Sequence, residues 1–257
     1  MLEPSKKNTA PACALASLNF EDDEIIFVVP SDHYIPETEK FWNHVQIASD
    51  FLKDHEGIMV FGIVPTRPET GYGYIEVGEQ LEGEVFKVKK FHEKPNLQTA
   101  TFYIDQGNYY WNSGMFLWKK RYFVEQMKKH APDVIEPFFR YSDLEQIYKE
   151  VPSISIDYAL MEKADTVYMV KASFIWSDVG NFKSLREIGM PNSSQVVLED
   201  SENVFVRTTK PTILIGLNNV LVVENENGIL VCRTDQIDKI KESIKKLESK
   251  KVNKLED

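Results

Sequence analysis

Short apolar runs recur along the chain, separated by amphipathic stretches. Ile25-Ile26-Phe27-Val28-Val29 ends at Pro30, and Ile58-Met59-Val60-Phe61-Gly62-Ile63 is a second run of the same kind. Such short continuous runs predict strands buried on both faces, as in a parallel sheet. Between them Phe41, Val45, Ala48, Phe51 and Leu52 recur at helical spacing within 37–55. Glu37 or Thr38 stands near the start of that helix. Strand, helix and strand in this order predict a right-handed crossover unit. Segments 72–77 and 85–91 flank a turn from Gly78 to Gly83 and predict a hairpin. Helices are expected at 96–106, 120–130, 143–150 and 155–164, and a strand at 166–170. The turn-forming cluster Gly189-Met190-Pro191-Asn192-Ser193-Ser194 predicts a boundary, with domains at 1–189 and 190–257. Short strands follow at 204–207, 212–215, 220–223 and 229–232, and a helix closes the chain from about Asp235. The alternation is that of an α/β fold with a smaller β-rich C-terminal part.

Composition narrows the class. A length of 257 residues suits one large domain with a small second one, and 42% apolar content supports a packed core. Lys and Arg number 30 against 40 Asp and Glu, a net charge of −10. That balance argues against a dedicated nucleic-acid binder but leaves room for a small phosphorylated ligand. The longest apolar stretch, Ile58 to Val64, falls far short of the ~18 residues that span a bilayer. No basic-then-apolar leader opens the chain. Cys13 and Cys232 lie far apart, which suggests neither a disulfide framework nor a metal knuckle. A cytoplasmic, reducing setting is expected, with no membrane partner.

Several segments could carry chemistry. Asp32 follows a predicted strand, where ligands of open α/β sheets bind. It could hold Mg²⁺ or cap a helix, and spacing alone favours the cap. His33 could orient a carboxylate or simply lie on the surface. Asp178, in Trp176-Ser177-Asp178-Val179-Gly180, is a second strand-end carboxylate with the same two readings, the alternative being a cap for a helix at Asn181. In Thr70-Gly71-Tyr72-Gly73-Tyr74 the glycines permit close backbone approach to a ligand, or make a tight loop. Glu93 could accept hydroxyl protons and Lys94 could pair with a phosphate, or both could sit in a solvated turn. Asn112 presents a bidentate amide in what reads as a Gly-containing loop. The aromatics around it (Tyr109, Tyr110, Trp111, Phe116 and Trp118) read as core.

Together these segments resemble the mannose-1-phosphate guanylyltransferases among the sugar nucleotidyltransferases. The matching stretches are Glu3-Pro4 with 8–12, Pro30-Ser31-Asp32-His33, 62–75, Phe91-His92-Glu93-Lys94-Pro95, 111–116, 155–162 and 176–180, in the family's order. The resemblance implies a Rossmann-like nucleotidyltransferase domain, with a mixed sheet and helices on both faces, and a small β-rich domain with a terminal helix. It implies transfer of GMP from GTP to mannose 1-phosphate, giving GDP-mannose and pyrophosphate. It implies Mg²⁺ on Asp32 and Asp178, the sugar phosphate on Lys94, and sugar hydroxyls read by Glu93, Asn112, Gly73 and Tyr74. It places Asn8, Thr9 and His33 beside the nucleotide, and it allows a homodimer. The family's Gly-Gly-x-Gly-Thr-Arg-Leu-x-Pro loop and first strand are not found in the sequence. An unpaired sheet edge is therefore expected. The alternative reading is an inactive or regulatory sugar-phosphate binder without the nucleotide-binding loop.

Overall fold

The computed structural model describes residues 2–179, 184, 188, 189 and 191–252. The helix expected to start at Asn181 lies outside them. The chain divides into two compact units, residues 1–31 with 35–176 and residues 32–34 with 177–257. The expected break after residue 189 falls inside the second unit.

The first unit is built on a six-stranded sheet. Its strands are β1 (Ile25–Val28), β2 (Ile58–Ile63), β3 (Tyr74–Gln80), β4 (Val85–His92), β5 (Tyr109–Lys119) and β6 (Val167–Ala172), in the order β1-β5-β2-β6-β4-β3. Only β2 and β6 pair in parallel in this sheet; the other pairings are antiparallel. β1 therefore departs from the expected parallel setting. It pairs antiparallel with β5, which stands between β1 and β2. Among the described residues β5 is its only strand partner.

The period of two along β2 feeds two cores. Ile58 and Val60 face one side, where they meet Ala10, Cys13, Phe123, Met127 and Ile135. Met59, Phe61 and Ile63 face the other, with Ala48, Phe51, Leu52, Ala100 and Tyr103. Helices α1 (Thr9–Ser17), α4 (Lys120–His130) and α5 (Pro132–Arg140) thus cover one face; α2 (Thr38–Asp54) and α3 (Leu97–Gln106) cover the other. Their ends follow from local chemistry. Asn96 accepts from the Thr99 N–H at 2.9 Å as the N-cap of α3, and Gly107 closes it at φ 73. The pattern does not anticipate α1 or α5. Proline stands inside the first turn of each, and their apolar residues are small or interrupted.

Two further differences bear on function. The stretch around Asn112 is not a loop but the middle of β5, an eleven-residue strand. Its edges explain the shape. At Phe116–Trp118 it pairs with β1 on one edge and β2 on the other; at Trp111 it pairs with β3 and β2. β1 and β3 therefore share an edge, end to end. Against β2 the register jumps from Val60–Phe116 to Gly62–Asn112, so Ser113 and Gly114 form a bulge, with Gly114 at φ 70. The expected helix at 155–164 is instead a five-residue π-turn, Asp157–Met161. α6 (Leu144–Glu150) precedes it, capped by Asp143.

The second unit is β-rich. β8 (Phe205–Arg207), β10 (Val220–Asn225) and β11 (Gly228–Arg233) make one sheet; β7 (Val196–Glu199) and β9 (Thr212–Ile215) pair in parallel. Val206, Leu214, Val220 and Val222 form its core. The closing helix begins later than expected. Residues Thr234–Lys239 form a 3₁₀ segment before α7 (Ile240–Val252). Among the described residues no helix is long and apolar enough to cross a membrane.

Candidate active site

In the first unit the predicted residues lie at the start of β3, just past the end of β4 and within β5. β4 ends at His92, whose ring is held from both sides. Nδ1 meets the Tyr103 hydroxyl at 3.0 Å and Nε2 meets Glu76 Oε2 at 3.3 Å. From this fixed end the chain runs into Glu93-Lys94-Pro95. Lys94 Nζ lies 3.6 Å from Glu93 Oε1, and both side chains are exposed. Gly73 sits directly across from Asn112. Its carbonyl accepts the Asn112 N–H at 2.9 Å, and a Cβ there would stand 3.4 Å from the His92 carbonyl oxygen. Tyr74 departs from expectation. It is fully buried, and its hydroxyl donates to the Glu69 carbonyl at 2.9 Å, so its side chain fixes the preceding loop instead of facing a ligand.

A cavity of about 500 Å³ opens beside Glu93 and Lys94, lined also by Asn8, Ser153, Ser155, Asp157 and Tyr158. Asn8, expected beside the nucleotide, thus shares a cavity with the residues expected to take the sugar phosphate. It stands at φ 67, and its side chain accepts the Thr9 N–H at 2.9 Å. Thr9 faces inward. Its Oγ1 accepts the Ile156 N–H at 2.8 Å, and backbone bonds Ile154 N–H to Lys7 O and Ala10 N–H to Ile154 O complete the clamp. The start of α1 therefore holds the wall that carries Asp157.

Asp157 is the residue that the linear pattern hides. Read as a turn of ordinary helix, it has no assigned chemistry; as the first residue of the π-turn it lines the cavity and accepts from Asn112 Nδ2 at 2.9 Å. Burial raises its carboxyl above the ordinary 3.8; the bonds from Asn112 and from its own backbone oppose the rise, and Glu93 adds to it. Glu162 is raised for related reasons, by burial first and then by Glu93 and Asp157. The only signal in sequence is that Asp157 lies in the 155–162 stretch.

The second unit brings together Asp32, His33 and Asp178. Tyr34 and Ser177 form a two-bond bridge, N–H to carbonyl at 2.8 and 3.1 Å, which sets the flanking residues side by side. Burial lowers the His33 pKa, and the carboxylates of Asp32 and Asp178 both act against that fall. Two carboxylates far apart in sequence thus bear on one imidazole. Val179 takes φ 50, an uncommon backbone for a β-branched residue, directly after Asp178. The donor set is two carboxylates. That suits a hard cation completed by phosphate and water, since Mg²⁺ commonly takes one or two carboxylates. Among the described residues no group of three or more His, Cys, Asp or Glu gathers to hold a metal. Neither cysteine enters either set. Cys13 is buried, with its thiol pushed up to about 12 by burial, and Cys232 is also free.

Comparison with known proteins agrees with this architecture. Residues 1–195 match the family model described as nucleotidyl transferase, and residues 194–247 match that of a mannose-phosphate isomerase/GMP-like β-helix domain. A mannose-1-phosphate guanylyltransferase of Escherichia coli is 33% identical over 96% of the chain and 59% of its own length. The xanthan biosynthesis protein XanB of Xanthomonas campestris is 36% identical over 97% of the chain and 57% of its own length. The chain thus spans less than three fifths of these curated relatives. A solved structure from Thermus thermophilus, titled mannose-1-phosphate geranyltransferase, superposes with a TM-score of 0.90 at 31% identity, covering 96% of the chain and 77% of that protein.

Proposed function

This chain belongs to the nucleotidyl transferase family, and from that premise we propose that it transfers GMP from GTP to mannose 1-phosphate, releasing pyrophosphate. The observation that carries the reading is the joint presence of two sets of groups. One is a cavity with a cation and hydroxyl acceptors, Lys94 with Glu93 and Asp157; the other is a carboxylate pair, Asp32 and Asp178, around His33. The relatives named for mannose-1-phosphate guanylyl transfer support the substrate choice.

In this reading a phosphate oxygen of mannose 1-phosphate attacks the α-phosphorus of GTP. The new bond is that oxygen to phosphorus; the bond broken joins the α-phosphorus to the bridging oxygen of departing pyrophosphate. No protein nucleophile is required, so the chain's contribution is positioning and charge. Lys94 pairs with the sugar phosphate. Glu93 accepts protons from sugar hydroxyls, and Asn112 and the Gly73 backbone complete the sugar contacts. Asn8 and Thr9 lie beside the nucleotide in this reading. Asp32 and Asp178 would hold Mg²⁺, which supplies charge neutralisation on the phosphates. The setting is cytoplasmic, where free thiols stay reduced.

The test is pyrophosphate release from GTP, mannose 1-phosphate and Mg²⁺. Asp32→Asn and Asp178→Asn should each lower turnover by roughly a hundredfold or more, and the double variant should be little worse than either, because the two act as a unit. A parent chain that binds mannose 1-phosphate without turnover would overturn the transfer reading in favour of a sugar-phosphate binder, the role that the cavity of the first unit alone could fill.

A further inference from the structure

Asn112 has two ends, and both are tied. Its Oδ1 accepts the Gly114 N–H at 3.0 Å across the β5 bulge, and its Nδ2 donates to Asp157 Oδ1 at 2.9 Å. A primary amide tied at one end alone can swing or flip; tied at both, it presents one defined N–H and one defined lone pair. Gly114 is the local tie, two residues away on the same strand. Asp157 is the distant one, brought in by a π-turn whose two preceding isoleucines, Ile154 and Ile156, are held by the Lys7 carbonyl and Thr9 Oγ1.

We propose that Asp157, in the wall of the Glu93–Lys94 cavity, is a positioning residue for sugar recognition, holding the Asn112 amide that it bonds in the one orientation that reads a sugar hydroxyl. This rests on the sugar-phosphate reading of that cavity. Three observations carry it. Asp157 is the side chain that both lines the cavity and bonds Asn112. The residue before it, Ile156, is held by Thr9 Oγ1 from a separate element. An acid stands at this place although burial disfavours its charge, which an inert wall residue would not need.

Calorimetric titration with mannose 1-phosphate tests the proposal without relying on turnover. Asp157→Ala should weaken binding roughly tenfold, the size expected when a partly buried hydrogen-bond partner is removed. Asp157→Asn should recover most of that loss, because its amide oxygen can accept the same N–H. Asp157→Ala added to Asn112→Ala should weaken binding no further than Asn112→Ala alone, since the first residue acts through the second. The preference for mannose 1-phosphate over glucose 1-phosphate should narrow in Asp157→Ala and return in Asp157→Asn. If Asp157→Ala does not fold, Asp157→Leu keeps the bulk without the acceptor and gives the same comparison. Unchanged affinity in Asp157→Ala, or a full additional loss in the double variant, overturns the positioning role alone. A parent chain with no affinity for mannose 1-phosphate overturns the cavity reading and this inference with it.

Discussion

Among single residues, the first unit's site holds two carboxyls, Asp157 and Glu162, whose charge burial makes costly. Asp157 is the clearest. Its carboxyl binds a proton more readily in the folded chain than at the ordinary 3.8. The stability that this group contributes is therefore complete below 3.8 and is lost as pH rises through the folded value. At neutral pH the unliganded protein carries a partly buried charge, so Asp157→Asn should melt higher than the parent at pH 7. Scanning calorimetry should find the gap closing below about pH 4; a variant that melts at or below the parent at pH 7 would contradict this account. Sequence makes the residue types visible here but not their pairings. Lys94 beside Glu93 is adjacent in the chain and can be read off directly. Asp157 with Asn112, and Asp32 with Asp178, are separated by long stretches that only folding closes.

Among the elements, periodicity carries the long, regular pieces. α2, α3, α4 and β2 stand close to their expected ranges because each has a wide apolar face or a full run of buried residues. The middle of β5 reads as a loop because Asn112, Ser113 and Gly114 interrupt it, and polar residues with glycine ordinarily signal a turn. In the sheet they form a bulge, whose strand continues through Met115 to Lys119. The π-turn at 157–161 likewise reads as plain helix, since one extra residue per turn leaves no clear mark on a short apolar pattern. The close packing where β2, β5 and β6 meet gives a direct test. A Cβ at Gly62 would collide with Met169 Sδ and come within 2.9 Å of Tyr110 Cβ. Gly62→Ala should therefore cost about 1–3 kcal/mol. The expected signature is a lower urea midpoint at unchanged slope; an unchanged midpoint would show that the sheet relaxes freely there.

For the molecule taken whole, the function proposed for this nucleotidyl transferase makes ligand binding a stability measurement. Mannose 1-phosphate at roughly one hundred times its dissociation constant should stabilise the chain by about 2.7 kcal/mol. Lys94 is exposed, so Lys94→Ala should leave the melting temperature of the free chain almost unchanged while removing most of the ligand-induced rise at the same concentration. A variant that keeps the full rise would exclude Lys94 from the phosphate contact. The α/β class, the β-rich C-terminal part, most helices and the resemblance that points to sugar-nucleotide chemistry were all legible in the amino-acid sequence. Those properties follow from local periodicity and from residues that stand together in the chain. Folding in three dimensions selected which strands are neighbours, set β1 antiparallel to β5, buried Tyr74, and brought Asp157 to Asn112. Each of those depends on contacts between segments distant in sequence, where the free energy of closing the fold selects among partners that the local pattern leaves equivalent.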